Sequence, residues 1–418
     1  MAELEKNDKF SIIVQKYGGT SVGDIERIEK VCTRIARYVK DGQKVAVTVS
    51  AMGSTTDRLV ALAKRISKRP NKRELDVLMA TGEQQSIALV SMMLEQKGIK
   101  ALSFTGQQAG FLTDSRSGAA RIVEVDPCAM LQAFEKVDVV VVAGFQGVDE
   151  SGKITTLGRG GSDTTAVAVA AALGAKECEI YTDTDGIYTT DPHAVPAATK
   201  LETIDYDEML ELASLGAGVL HPRSVWYARR YGVKIHVRSS FGYASGSIVS
   251  DFKETTLKTD KPVTGVALDD GIARVDLLEV PDTPGIAAQV FNALGEAGIS
   301  ADMIIQGVPG DQTSRQQLAF TIDEDQVEYA VQAIESVLED IGGRYKVDKN
   351  IAKLSVVGIA VGSTPGIAAR VFKAVSAVGA NIQMITTSEV RVSVVISTDK
   401  AKEALKAVHS EFGLDSKL

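Results

Sequence analysis

The chain has 418 residues, which is more than one hydrophobic core usually serves, so we expect two or three domains. Its formal net charge of −8 argues against non-specific binding to nucleic acid or to an anionic membrane, so an anionic ligand would need a local group of cations and backbone amides. Three widely separated cysteines, no apolar run near the roughly 20 residues that span a bilayer, and a polar start without signal-peptide character predict a cytoplasmic protein with neither disulfides nor a metal site.

The first part of the chain alternates strand-like and helix-like segments. Strands are predicted at 11–16, 45–49, 137–143 and 179–182, and helices at 24–39, 74–97 and 164–173. The almost wholly apolar run 137–143 is typical of a strand buried on both faces of a parallel sheet. The repeated β-α-β order predicts a three-layer αβα domain with a mostly parallel sheet over residues 1–249, followed by a polar linker at 250–262.

An internal repeat follows the linker. The segment TPGIAAQVF beginning at Thr283 recurs as TPGIAARVF beginning at Thr364. Each copy has the order strand, Pro-Gly turn, helix, strand, strand, helix, which predicts two βαββαβ ferredoxin-like domains at 263–345 and 346–418. Two copies are too few for a solenoid, but they can pack together or against copies from another chain.

A glycine pair follows the first predicted strand, in the segment KYGGTSVG that begins at Lys16. Paired glycines let the backbone approach a ligand, the following helix start favours an anion, and Lys16 adds a cation suited to phosphate. The alternative is an ordinary strand-to-helix turn. Neither GxxxxGK[ST] nor GxGxxG occurs, which argues against a P-loop and a nicotinamide site.

Hydroxyl and carboxylate side chains near later segments are candidate substrate contacts. Ser50 and Thr56 follow the second strand and could hold a carboxylate or phosphate, although each could equally be a helix cap. Glu83 follows Gly82 in a helical stretch and could face an ammonium group, although a solvated helix face would give the same pattern.

The segment GRGGSDTT, which begins at Gly158, opens an Ala-rich helix. Three glycines around Arg159 at a helix start predict a compact anion site, because an arginine can grip a carboxylate with two parallel hydrogen bonds. Ser162 and Asp163 also suit the N-cap of the helix, so part of the pattern has a structural explanation.

A polar loop at 181–192, after another strand, is able to bind polar groups. Asp183 and Asp185 resemble the start of a calcium loop, but Ile187 and the missing twelfth-position Glu argue against calcium. The chain also lacks a zinc pattern and the GxSxG of a serine hydrolase. Phosphoryl transfer to a carboxylate fits this inventory, since that nucleophile is already ionised at pH 7 and needs no general base.

Together these motifs, with VSAMG, TGE and VLHPRS, resemble those of the aspartokinases in order from about residue 11 to 412. The resemblance implies an amino-acid-kinase fold that transfers the γ-phosphoryl group of Mg-ATP to the side-chain carboxylate of L-aspartate. The product, 4-phospho-L-aspartate, would feed lysine, threonine and methionine synthesis.

The resemblance also implies residue roles. Lys16, Arg159 and Asp163 would be catalytic, with Lys16 on the transferring phosphoryl group and Asp163 orienting the cations. The ATP site would comprise Lys16, Gly18, Gly19, Thr182, Asp183, Tyr188 and His193. Aspartate would contact Thr20, Ser50, Thr56, Glu83, Arg159, Gly160, Gly161 and Ser162, with Glu83 on its ammonium and Arg159 on its α-carboxylate.

The repeats resemble ACT domains, which bind amino acids between paired units. The implied effector site comprises Asp282, Gly285, Ala287, Asp302 and Gln306 of the first copy and Ala368, Asn381, Ile382, Ser388 and Glu389 of the second. The effector would be lysine, threonine or both, although a dimerisation module without a ligand is the alternative. We expect a homo-oligomer rather than a separate small subunit, because no Met lies between Met209 and Met303, and no fusion to homoserine dehydrogenase.

Two positions depart from the family pattern, His193 where Arg is usual and Gly218 where Lys is usual. Both remove positive charge near the expected nucleotide, and Arg223 is a candidate to compensate. Two alternatives remain: a kinase for glutamate or N-acetylglutamate, and an amino-acid sensor with a degenerate kinase domain. Glu83 favours a free ammonium over an acetylated amine, and the presence of Lys16, Arg159 and Asp163 argues against degeneracy.

Overall fold

A computed structural model describes residues 10–216, 219–251, 262–307 and 315–415. The described residues form two compact units. The first unit comprises residues up to Ile187, the segment Lys200–Ser214 and residues 219–251. The second unit comprises the segment Tyr188–Thr199, residues 215 and 216, and everything described from 262 onward.

Strands and helices alternate through the first stretch of chain. The strands are β1 (Ile12–Tyr17), β2 (Lys44–Val49), β3 (Ala101–Phe104), β4 (Phe111–Thr113), β5 (Ile122–Val125), β6 (Val139–Ala143), β7 (Gln146–Val148), β8 (Ile154–Thr156), β9 (Glu177–Thr182), β10 (Ile187–Tyr188), β11 (Lys200–Leu201), β12 (Thr203–Asp205), β13 (Lys234–Ser239) and β14 (Ser247–Ser250). The helices are α1 (Ile25–Lys40), α2 (Thr55–Ile66), α3 (Lys72–Gln96), α4 (Cys128–Phe134), α5 (Gly161–Ala172), α6 (Tyr206–Ser214) and α7 (Pro222–Tyr231).

The first unit is built on a sheet with the strand order β12-β14-β13-β9-β1-β2-β6-β3. All neighbouring pairs from β13 to β3 run parallel, and β14 is antiparallel to β13. Every residue of β6 is buried, as its apolar run predicts. Helices α1 and α3 pack on the sheet together with Tyr17, while α5 packs against β1, β2 and β9. The predicted αβα architecture with a mostly parallel sheet is confirmed.

Small side chains bring α5 close to the sheet. The first ten residues of this helix, from Gly161 to Ala170, are all buried, and five of them are Gly, Ala or Ser, with the remainder Asp, Thr and Val. Because β1, β2 and β9 run parallel, their carboxyl ends meet at one edge, where such sheets bind ligands. A second sheet, with the order β5-β4-β7-β8, is formed by strands that lie between β3 and α5 in the sequence.

The second unit contains two α/β substructures, each with its own sheet. Its strands are β15 (Gly265–Asp269), β16 (Ile272–Pro281), β17 (Asp302–Gln306), β18 (Arg315–Asp323), β19 (Arg344–Asp348), β20 (Ile351–Val357), β21 (Met384–Thr387) and β22 (Arg391–Ser397). Its helices are α8 (Ile286–Glu296), α9 (Val327–Ile341), α10 (Ile367–Ala377) and α11 (Thr398–Glu411). The sheet orders are β17-β18-β16-β19 and β15-β20-β22-β21.

One strand of the second unit lies away from its predicted repeat. The first repeat has the expected βαββαβ order from β16 to β19. Strand β15, which falls in the range 263–345 predicted for that repeat, pairs instead with β20 of the second repeat. The second sheet therefore takes an edge strand from the chain that precedes the first repeat. The predicted linker at 250–262 lies almost wholly outside the described residues.

Candidate active site

Lys16, near the end of β1, forms an ion pair with Asp163 in the first turn of α5. The Lys16 Nζ and Asp163 Oδ1 atoms are 2.6 Å apart, and each side chain is 12% exposed. Strand alternation directs Lys16 towards α5 and its neighbour Tyr17 towards the opposite face, where Tyr17 packs in the core. The helix thus fixes a nearly buried ammonium group at the ligand-binding edge of the sheet.

The glycine turn after β1 contacts the loop after β2. Gly53 N–H donates to Gly19 O at 3.0 Å, and Ser50 N–H donates to Tyr17 O at 3.1 Å. A Cβ atom at Gly19 would lie 2.8 Å from Ala51 O, which is closer than real contacts allow. The two loops therefore approach each other only because residue 19 is glycine, so the predicted phosphate turn and the predicted substrate loop share one edge.

Glu83 lies on α3 and faces the same loop. Its Oε1 accepts a hydrogen bond from Ala51 N–H at 3.1 Å, and the residue is 3% exposed, so it does not lie on a solvated helix face. Its Oε2 is buried without a hydrogen-bond partner among the described residues. Burial raises the pKa of Glu83 from its ordinary value of 4.5 to about 7, although the Ala51 hydrogen bond opposes the shift.

The start of α5 is shaped by glycine and not by a side-chain cap. Gly160 is the N-cap, with a left-handed φ of 66°, and makes no side-chain cap bond, so the capping explanation for Ser162 and Asp163 is wrong. A Cβ atom at Gly160 would overlap the His221 side chain, and one at Gly144 would lie 2.6 Å from Ser162 Oγ. These glycines pack the end of β6 and the start of α7 against the loop that carries Arg159.

Arg159 is exposed and has no hydrogen bond or ion pair among the described residues. Its neighbours Ser162 and Asp163 are each 9% exposed. A guanidinium group without an internal partner, presented on a rigid glycine-rich turn, is suited to a bidentate carboxylate contact. This is the behaviour expected for an α-carboxylate ligand.

The remaining predicted substrate hydroxyls are not helix caps. Ser50 lies directly after β2 and is half-buried. Thr56 is in the first turn of α2, whose N-cap is Ser54. Thr20 is exposed, and its carbonyl accepts a hydrogen bond from Arg27 Nη1 at 2.7 Å. Thr20 and Ser50 lie on the loops that follow β1 and β2, together with the glycine turn, and Thr56 lies in the helix turn that comes after the second of these loops.

The predicted nucleotide residues divide between the two units. Thr182 ends β9 in the first unit, and its Oγ1 donates to Asp183 Oδ1 at 3.0 Å. Tyr188 and His193 belong to the second unit, where His193 is exposed and its N–H donates to Asp191 Oδ1 at 2.9 Å. Gly218, the other departure from the family pattern, lies outside the described residues.

The VLHPRS segment supplies two residues to which the motif reading gave no catalytic role. His221 is the N-cap of α7, its Nδ1 accepts from Arg223 N–H at 3.2 Å, and burial lowers the pKa of its imidazole. Arg223 Nη1 donates to Leu157 O at 2.6 Å, at the start of the loop that carries Arg159. Gly144 was also missed. Only the tertiary contacts with the α5 turn reveal His221 and Gly144, whereas the sequence already names Arg223 as a compensating cation.

The fold also gathers three potential metal ligands that are distant in sequence. Single ligand atoms of Glu177, Glu179 and His236 lie within 4.8 Å of one another. Both ring nitrogens of His236 are already hydrogen-bonded, Nδ1 to Glu177 at 3.0 Å and Nε2 to Ser245 O at 2.6 Å. Glu179 accepts hydrogen bonds from Gln15 and Arg238. These side chains are therefore committed to one another in a structural network.

The predicted effector residues lie at the glycine turns and strand ends of the second unit. Gly285 and Gly366 are the left-handed N-caps of α8 and α10 in the two repeats. Asp302 is 3.0 Å from Nζ of Lys353, which is 5% exposed. Burial acts to raise the pKa of Asp302, but Lys353, the Met303 amide and Arg391 together lower it below its ordinary value. Gln306 Nε2 donates to Gln316 Oε1 at 2.7 Å. The loop after Gly307 lies outside the described residues.

The second repeat presents its predicted effector residues in a corresponding region. Ser388 and Glu389 form the turn between β21 and β22, and the Glu389 carbonyl accepts a hydrogen bond from Gly362 N–H at 3.0 Å. Ala368 and Ile382 pack against the core of this repeat. Asp282 follows β16, Ala287 lies in the first turn of α8, and Asn381 lies between α10 and β21.

Comparison with known proteins agrees with both units. A model described as the amino acid kinase family matches residues 11–239, and one described as an ACT domain matches residues 279–338 and 354–412. An aspartokinase of Thermus thermophilus is 59% identical over 406 residues, which covers 97% of this chain and 100% of that protein. One of Geobacillus stearothermophilus is 47% identical over 405 residues, which covers 97% and 98%.

A solved structure shows the same likeness. E. coli aspartokinase III in complex with aspartate and ADP matches with a TM-score of 0.80 and 26% identity, covering 96% of this chain and 99% of that chain. The parallel sheet with its cation and glycine turns defines an amino-acid-kinase unit, which is followed by ACT domains. The chain belongs to the aspartokinase family. None of the described helices is long and apolar enough to cross a membrane.

Proposed function

We propose that this aspartate kinase transfers the γ-phosphoryl group of ATP to the side-chain carboxylate of L-aspartate to give 4-phospho-L-aspartate. The observation that carries the proposal is the Lys16–Asp163 ion pair, 2.6 Å long, at the edge where the glycine turn meets the loop after β2. A relative of the same fold is described in complex with aspartate and ADP.

The chemistry requires positioning and charge neutralisation. The attacking carboxylate is ionised at neutral pH, so no residue has to remove a proton from it. Lys16 would lie against the transferring phosphoryl group, and Asp163 would hold the lysine in that place. Gly18 leaves room for phosphate oxygens beside Lys16, since among the described residues the only atom near a Cβ at that position would be Lys16 Nζ, at 3.4 Å, whereas Gly19 admits the loop after β2.

Two groups of opposite charge would orient the amino acid. Glu83, buried beside Ala51, suits the α-ammonium group, and the exposed Arg159 suits the α-carboxylate. A buried carboxylate with one oxygen unpartnered among the described residues gains most from a free ammonium. This favours aspartate over an N-acetylated substrate, whose neutral amide cannot offer that charge.

The residues present also fit a magnesium ion carried by ATP. Mg²⁺ commonly binds one or two carboxylates besides phosphate oxygens and water, and it neutralises phosphate charge when bound. Asp163 supplies a carboxylate that is 9% exposed and adjacent to Lys16. It is the residue that would hold the ion. The lysine would remain the group that the protein itself aims at the phosphoryl oxygens.

We further propose feedback control by lysine, threonine or both through the ACT domains, in a homo-oligomer that serves lysine, threonine and methionine synthesis. The support is the pair of glycine-capped helices at matching positions in the two repeats. A related structure of the E. coli enzyme is described in complex with lysine and aspartate. The ten effector residues given above remain the proposed site.

The test is ATP turnover with aspartate, glutamate and N-acetylglutamate, each with and without lysine and threonine. We expect turnover with aspartate alone among the three acceptors, and inhibition by lysine, by threonine or by both. Lys16→Met should reduce kcat by at least about a hundredfold with an unchanged denaturation midpoint, because a phosphate-neutralising cation is lost. Faster turnover with N-acetylglutamate, or a Lys16→Met rate within about tenfold of wild type, would contradict the assignment.

A further inference from the structure

The segment that follows β13, residues 239–242, touches two parts of the proposed ATP site. Ser240 N–H donates to the carbonyl of Thr182 at 2.8 Å, at the end of β9. The hydroxyl of Ser240 is 2.5 Å from that of Ser21, which follows the glycine turn. The segment therefore ties the turn that would carry phosphate to the strand that leads into the nucleotide loop.

One arginine holds this segment from the side of α1. Arg34 is 7% exposed, its Nη1 donates to Ser239 O at 2.8 Å, and its Nη2 donates to Gly242 O at 2.6 Å and Ser240 O at 3.4 Å. The guanidinium carbon lies 4.5 Å from the ring centre of Tyr181 and 4.8 Å from that of Tyr243. A planar fork with several donors can meet these carbonyls and stack between rings at once, which a lysine cannot do.

We propose that Arg34 is a positioning residue for ATP, which acts through the segment 239–242 and touches neither substrate. The inference rests on the proposed function and adds a determinant of nucleotide affinity on a helix that carries none of the predicted site residues. Without the guanidinium, the carbonyls of Ser239 and Gly242 lose their charged donor, and the segment relaxes. The contacts of Ser240 with Ser21 and Thr182 then loosen together, while the loops that face aspartate keep their own contacts with Glu83 and Gly19.

The discriminating variant is Arg34→Lys, which keeps the charge and most of the side-chain volume but loses the fork. We expect the KM for ATP and the Kd for Mg-ADP to rise about tenfold or more, while the KM for aspartate changes less than about threefold. The matched control is Arg37→Met. Arg37 lies one turn later on α1, is exposed, and stacks on the same Tyr243 ring at 4.5 Å, but it donates to none of the three carbonyls. The Arg37→Met variant should leave the KM for ATP and the Kd for Mg-ADP within about twofold of wild type.

Coupling with Ser240 tests the route of the effect. If Arg34 acts through the segment, Ser240→Ala and Arg34→Lys should each raise the Kd for Mg-ADP. The Kd of the double variant should then exceed the higher of the two single-variant values by no more than about twofold. Equal increases in the two KM values, an unchanged Kd for Mg-ADP, or multiplicative effects in the double variant would overturn the proposal.

The two proposals fail in different ways. Mg-ADP binding is measured by calorimetry without turnover, so it reports on Arg34 even if the acceptor is not aspartate. Absence of aspartate phosphorylation in the wild-type chain would count against the proposed function alone. A variant that lowers only the denaturation midpoint, with both ligand constants unchanged, would reduce Arg34 to a structural role and would also overturn the proposal.

Discussion

Glu83 is a carboxylate that the fold buries next to a backbone amide, and its protonation is therefore tied to function. Its pKa is raised to about 7 by burial, so in the absence of substrate it titrates near neutral pH. Only the ionised form can neutralise an ammonium group. A substrate ammonium bound beside it would in turn favour ionisation. Aspartate affinity should therefore depend on pH in a range where free carboxylates do not titrate.

We predict that the KM for aspartate rises about tenfold for each pH unit below 7 in the wild-type enzyme, because the fraction of ionised Glu83 falls by that factor. Glu83→Gln should raise the KM at pH 8 by about a hundredfold and abolish the dependence between pH 6 and 8. The measurement is kcat/KM for aspartate against pH at saturating ATP. A wild-type profile that is flat from pH 6 to 8 would show that the ammonium is held elsewhere.

The stability of the fold should depend on pH in the opposite sense to the affinity for aspartate. A carboxyl group whose folded pKa is raised binds its proton more tightly in the folded state, so its contribution to the free energy of unfolding is lost as pH rises from 4.5 to about 7. The loss is on the order of 3 kcal/mol for a shift of this size. Glu83→Gln should therefore be more stable than wild type at pH 8 in urea denaturation. The residue thus lowers stability in return for substrate recognition.

At the scale of elements, contacts between loops and helices at the sheet edge depend on glycines, because a side chain at these positions would prevent the close approach. Helix α3 passes the loop after β2 so closely that a Cβ atom at Gly82 would lie 2.8 Å from Ala51 Cβ. The contact places Glu83 against the Ala51 amide. Gly295, in α8, has nothing within 4 Å of the corresponding position. The same residue type therefore serves a close approach in one helix and no packing purpose in the other.

We predict opposite results for the same substitution in these two helices. Gly295→Ala should stabilise the protein by about 0.5–1 kcal/mol, since alanine is the better helix former and the space is open. Gly82→Ala should be destabilising despite the same helix preference, and should raise the KM for aspartate about tenfold, because α3 must move away from Ala51. Thermal denaturation and steady-state kinetics measure both. Stabilisation by Gly82→Ala with an unchanged KM would show that the contact is not needed.

The elements of the site were easier to predict from sequence than their contacts. Lys16, the glycine pair and the Arg159 turn stand in local patterns that have a direct physical meaning, namely a cation, a turn and a helix start. The ion pair of Lys16 with Asp163 joins residues far apart in sequence, and no local pattern contains it. For the same reason Glu83 could not be distinguished from a solvated residue, and Arg34, Ser240 and His221 had no visible role. Strand β15 was assigned to the nearer repeat because sheet pairing is not a local property.

At the scale of the whole molecule, the course of the chain matters as much as its domains. The chain leaves the first unit after Ile187 and returns to it at Lys200. The intervening segment, Tyr188–Thr199, is packed in the second unit, where Val195 lies in the core with Val266. Two predicted nucleotide residues, Tyr188 and His193, are on this segment. A variant that lacks the residues from 262 onward would therefore also lose the core that holds this segment, and point variants are the sharper test of the proposed regulation.

Thr189 anchors the segment. The residue is fully buried, and its Oγ1 is 2.9 Å from His409 Nε2 and accepts from Thr199 N–H at 3.1 Å. The backbone carbonyl of Thr189 accepts from Val266 N–H at 2.7 Å. The other ring nitrogen of His409 is buried without a hydrogen-bond partner among the described residues, and burial lowers its pKa. Thr189 thus joins the segment to helix α11 through its hydroxyl and to the start of β15 through its backbone carbonyl.

We predict that Thr189→Val destabilises the second unit by about 1–3 kcal/mol, because it replaces the hydroxyl with a methyl of similar size and leaves His409 Nε2 and Thr199 N–H unpaired. The KM for ATP should rise about five- to tenfold as Tyr188 and His193 lose their fixed backbone, and the KM for aspartate should change little. Thr189→Ser, which keeps the hydroxyl, is the control and should remain within about twofold in both constants. Urea denaturation and initial rates with each substrate varied give the result. Equal behaviour of the valine and serine variants would show that the Thr189 hydroxyl does not hold Tyr188 and His193 in place.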